Sequence, residues 1–142
     1  MSTTLSTTLR LAAAFTTTLV VMVLLDMIWL GLVAKSTYQQ GIGHLMAERP
    51  IIPVAVLFYL IYAVGLTIFT LRPFAGQPGL GQTVIAAALF GFFAYATYDL
   101  TNLATLKDWP VRIVLIDIAW GTFVSAVSAT AGKWMLDRLA AG

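Results

Sequence analysis

Four long apolar runs occupy almost the whole chain, over residues 11–34, 51–71, 82–105 and 113–133. Each is close to the ~20 residues that a helix needs to cross a hydrocarbon layer of roughly 30 Å. The pattern predicts an all-α integral membrane protein, with four transmembrane helices in an antiparallel bundle and a single membrane domain over residues 1–142. The Ser/Thr-rich residues 1–9 read as a frayed tail. The longest connection, Lys35 to Pro50, carries Gly41 and Gly43, which argue against a firm helix through its centre. The second, Arg72 to Gly81, is a Pro/Gly-rich turn with no evident chemistry. The third, Leu106 to Pro110, is short enough to force its two helices into an antiparallel hairpin, and it places Trp109 where interfacial aromatics usually lie.

Composition agrees with the runs. Hydrophobic residues make up 60% of the chain and charged ones 10%, which leaves no stretch for a soluble domain. The formal charge of +2 is too small and too dispersed to suggest nucleic acid. With no cysteine, disulfides, thiolate chemistry, cysteine-ligated zinc and iron–sulfur clusters are excluded. The first run is too long for a signal-peptide core, contains Asp26 and lacks a small-x-small cleavage site, so it is expected to be retained as a helix. Orientation is not encoded in the cations. One side, with the termini, has Arg10, Arg72, Lys133 and Arg138; the other, called side B, has Lys35, Arg49, Lys107 and Arg112.

Three aspartates interrupt the runs: Asp26, Asp99 and Asp117. A carboxylate near the centre of a spanning helix costs on the order of 3 kcal/mol, so all three ask for roughly 8 to 10 kcal/mol of compensation. Asp26 lies nine residues before Lys35, Asp99 eight before Lys107 and Asp117 five after Arg112. At 1.5 Å per residue these put all three in one layer, about 8 to 14 Å inside side B. Tyr95, Asp99 and Asn102 share one stripe of the third helix, with Tyr98 beside it, and Tyr59 and Tyr62 come to a similar depth on the second. The first and fourth helices carry an inverted Asp-x-x-Trp pair, Asp26 with Trp29 and Asp117 with Trp120. If these helices are neighbours, each indole N–H is placed to donate to the opposite carboxylate. Gly121, Ser125 and Ala129 form a small-residue face suited to close packing within the bundle or in a homodimer.

The segment YDLTNLATLKDWP, with LDMIWLG before it and IDIAWG after it, resembles the family of small bacterial membrane proteins called domain of unknown function 2177. The resemblance runs from about Thr18 to Lys133 and is most specific over Tyr98 to Lys107. It implies a four-helix protein of a bacterial inner membrane, and implies no activity.

Function is therefore read from the residues. Three acids with no fixed counter-cation favour protonation, a bound metal or a cationic ligand. The first reading is a pocket open toward side B, bounded by Asp26, Trp29, Tyr59, Tyr62, Tyr95, Tyr98, Asp99, Asn102, Asp117 and Trp120. It would bind or transport a cationic, protonated or proton-coupled small ligand, with the bilayer itself as the other partner. A second reading is an enzyme acting on a lipid or isoprenoid, with His44 as a secondary candidate. No cofactor is expected, although a divalent metal held by Asp26, Asp99 and Asp117 is an option. In a third reading the protein is an accessory subunit, and the polar cluster only holds the helices together.

Overall fold

The structure, a computed structural model, describes residues 5–142. Four helical segments in it are long and apolar enough to cross a membrane: Thr7–Val33, Ile52–Phe74, Gly81–Thr105 and Val111–Ala141. Helix α1 (Thr7–Ile28) is capped by the Ser6 hydroxyl, which accepts from the Leu9 N–H. That cap makes residues 7–9 helical where a frayed tail was expected, while residues 1–4 lie outside the described residues. α1 runs into a π-helical turn, Trp29–Val33. A short helix α2 (Lys35–Ile42) follows, then α3 (Ile52–Leu66), which ends in a second π turn, Thr67–Leu71. α4 (Gly81–Thr105) and α5 (Val111–Ala141) complete the chain.

α4 and α5 pack along their length, with chain numbers rising on one as they fall on the other. Gly91 meets Gly121 and Ser125, Tyr95 covers Gly121, and Asp99 lies beside Asp117. α1 crosses α5 with the same polarity, Thr18 against Gly132 and Asp26 bonded to Trp120. The small-residue face of α5 is thus used inside the bundle. A Cβ at Gly121 would fall within the Tyr95 ring, and one at Gly132 would strike the Thr18 hydroxyl. Backbone approach this close is how membrane helices gain van der Waals contact when lipid removes the hydrophobic drive between them.

Two connections differ from their reading, the first in being partly helical and the third in where it places Trp109. Residues 35–42 form a helix because Ala34, Tyr38 and Ile42 recur at four-residue spacing and pack on Trp109, Ile113 and Val114. Gly41 does not break that helix; it lies against Ile113 and Pro110, where a side chain would not fit. Trp109 turns inward and is only 8% exposed, edge-on to Tyr98 at 5.9 Å.

At the opposite end α5 continues to Ala141, past the end of its apolar run, because Lys133 is buried there. Its ammonium donates to the Gln77 and Gly79 carbonyls at 2.8 and 3.1 Å and to Asp137 at 2.6 Å. The Pro/Gly turn before α4 is thereby pinned to α5. Lys133→Met keeps the apolar stem and strips three acceptors of their donor, so it is expected to cost about 2–3 kcal/mol. Thermal unfolding in detergent measures this, and an unchanged melting temperature would contradict it.

Candidate functional site

Asp26 is 5% exposed and is held by two helices other than its own. The Tyr59 hydroxyl of α3 donates to one carboxylate oxygen at 2.7 Å, and the Trp120 indole N–H of α5 donates to the other at 2.7 Å. Both donors are neutral, so the bonds satisfy the carboxylate without cancelling its charge.

Asp117 is reached differently. The Trp29 indole does not meet it directly, as the inverted pair suggested, but donates to the Tyr38 hydroxyl at 3.3 Å, which donates to Asp117 at 2.6 Å. The π turn at Trp29 inserts an extra residue per turn, and α2 folds back so that Tyr38 occupies the gap between indole and acid. The Trp29 and Trp120 rings then stack, with centroids 4.4 Å apart and planes 3° from parallel. Burial and the bond to Asp117 push the Tyr38 phenol far above its ordinary range, which fixes it as a donor.

Asp99 has no such support. It is fully buried, and neither carboxyl oxygen has a hydrogen-bond partner among the described residues. Its carboxyl lies beside that of Asp117 and near the Trp109 indole, whose buried N–H is also unpaired. No cation is at hand, since the one ion pair among the described residues is Lys133–Asp137.

A cavity of about 560 Å³ opens against these groups, with Asp26, Asp117, Tyr59, Tyr95 and Trp120 on its wall and no Lys or Arg. Tyr62 lines it too, its hydroxyl 2.7 Å from Ser125 and its ring edge-on to Tyr95. The Tyr95 hydroxyl makes no hydrogen bond among the described residues and so is free to meet a ligand. Tyr98 stands at the rim, 54% exposed, with Asn102 next to it. Asp99 and Trp29 sit behind the wall.

Two residues fall elsewhere than the sequence suggested. Asn102 is half-buried but makes no bond to Asp99. His44 is exposed on a 3₁₀ turn over Gly43–Leu45 and lines no part of the cavity. Among the described residues no group of three His, Asp or Glu side chains is placed to hold a metal, the three aspartates included. Asp26 is engaged by Tyr59 and Trp120, whereas Asp99 lies beside Asp117. Tyr38 and Ser125 were not recognised from sequence as part of the site. The Ala34, Tyr38, Ile42 spacing was the available signal for Tyr38.

Fold and site together define an all-helical integral membrane protein with an acidic, aromatic cavity between its spanning helices. A family model described as "Predicted membrane protein (DUF2177)" matches residues 11–134, and the chain belongs to that family. Neither the curated proteins nor the solved structures gave a match to it.

Proposed function

We propose that the protein binds a small cationic or protonated ligand in this cavity, in the inner membrane of a bacterium, and that the Asp99–Asp117 pair exchanges a proton with it. The observation that carries the reading is Asp99. A buried carboxyl without a hydrogen bond or a cation is among the most costly groups a membrane helix can hold. A proton held between Asp99 and Asp117 supplies the missing donor, and a cation in the cavity supplies the missing charge. Exchange between those two conditions is what couples a ligand to a proton. A purely structural cluster explains Asp26, which ties three helices together, and leaves Asp99 without a purpose.

Dicyclohexylcarbodiimide, an apolar reagent for protonated carboxyls, tests this on protein in phosphatidylcholine nanodiscs. Peptide mass analysis is expected to find label on Asp99 or Asp117, and decylammonium is expected to protect them. No label at any of the three acids, together with no stabilisation by decylammonium between pH 5 and 9, would overturn the reading.

A further inference from the structure

The cavity's apolar side is as informative as its acids. α3 buries Tyr62, Ala63 and Leu66 in its second half, but from Ile51 to Ile61 no residue is buried, with Ile52 and Ile61 each 62% exposed. Its side-B half therefore stands away from the bundle and is tied back by the Tyr59–Asp26 bond. Facing it across the gap, α4 presents Ala94 and Tyr98, both exposed. The lips of the cavity are Ala55 and Phe58 on α3 and Ala94 and Tyr98 on α4. Ala55 lies three residues into α3 and Ala94 eleven before the end of α4, so the opening extends from about 5 to about 17 Å from the side-B ends of these helices. The inner part of such an opening faces acyl chains.

An occupant has to match both ends. The inner end has two carboxylates with neutral donors only, and the outer end is Phe58, Leu30 and two alanines. A charged head alone would leave the apolar lips unfilled, and a hydrocarbon alone would leave the carboxylates uncompensated. We infer that the ligand is a single-chain alkyl amine dissolved in the bilayer, which enters sideways between α3 and α4. Its ammonium sits at Asp26 and Asp117, and its chain lies between Ala55 and Ala94. This rests on the cation-binding reading and adds a substrate class and a route.

The test compares decylammonium with ethylammonium in neutral phosphatidylcholine nanodiscs, read by tryptophan fluorescence, since Trp120 lines the cavity, with empty nanodiscs subtracted. Decylammonium is expected to bind at least about tenfold more tightly than ethylammonium, and filling the lips with Ala55→Phe/Ala94→Phe is expected to weaken decylammonium by about tenfold or more. The lip variant separates true occupancy of the mouth from simple enrichment of decylammonium in the bilayer. Should the double variant not fold, Ala94→Phe alone, at an exposed position, provides the same comparison. Decylammonium binding that ignores filled lips, or ethylammonium binding as tightly as decylammonium, overturns the sideways route and leaves the cation site standing. Failure of both amines to bind overturns the cation site and this inference with it.

Discussion

Asp99→Asn is expected to raise the stability of the protein while abolishing the pH dependence of its response to ligand. In the native chain two carboxyl groups face each other with no donor between them once their shared proton is released, and all of the Asp99 side chain is buried. The amide is close to isosteric, removes a charge, and brings an N–H₂ that can donate to Asp117. A hydrogen bond to a charged partner contributes about 1.5–3 kcal/mol, and removing an uncompensated buried charge adds to it. Against this, the amide oxygen stays as poorly partnered as the carboxyl oxygens were. A net gain of about 1–3 kcal/mol is therefore expected, seen as a melting temperature several degrees higher in detergent. The same change imitates the proton-loaded pair and cannot release that proton. Decylammonium should still raise the melting temperature of the variant through Asp26 and Asp117, but by an amount that no longer varies between pH 5 and 9. A destabilised Asp99→Asn would mean that the carboxyl has a structural partner after all, and the functional argument built on it would fall.

A stabilising substitution at a buried acid is a signature that structure alone seldom leaves. Most substitutions cost stability, and positions where they add it tend to be those held in an unfavourable state for activity. Asp99 fits that description, and Asp26 does not. The difference lies in the donors that meet each acid, which no count along a single helix reveals.

What the sequence made legible follows from regular helix geometry. Apolar runs located four spanning helices, and counting from Lys and Arg put Asp26 level with Trp120, the pair that is bonded at 2.7 Å. Depth counting assumes a constant rise and a constant rotation per residue. The π turn at Trp29–Val33 breaks both assumptions, and it is there that the predicted Trp29 to Asp117 bond becomes a relay through Tyr38. The helix through Tyr38 was hidden for a related reason. Gly41 and Gly43 read as breakers, whereas Gly41 is small because Ile113 approaches it. The inward turn of Trp109 was equally out of reach, since interfacial preference describes an average tryptophan and not one buried beside an acid and Tyr98. The partition of the acids, one fully bonded and two facing each other, depends on side-chain contacts among helices far apart in sequence.

The opposite sign is expected at Asp26. Asp26→Asn keeps the shape of the side chain but offers one acceptor oxygen where Tyr59 and Trp120 bring two donors, each now 2.7 Å from an oxygen. The Asn N–H₂ then faces Tyr59, whose oxygen can accept from it but whose own proton loses its acceptor, and the Trp120 bond loses its charge assistance, so the variant is expected to lose about 1–3 kcal/mol. The consequence is local as well as global. The Tyr59 bond ties the unburied half of α3 to the rest of the bundle, so its loss should let Ile52 to Ile61 open further from α4. Hydrogen exchange in detergent is expected to accelerate over that segment while the α4–α5 hairpin stays protected, because local opening follows the weakest ties. A melting temperature equal to or above that of the native protein, with unchanged exchange over Ile52 to Ile61, would show that Asp26 is not the tie. Measured together, the two Asn variants separate an acid that holds helices from an acid that holds a proton, since a cluster built only for cohesion has to lose stability at both.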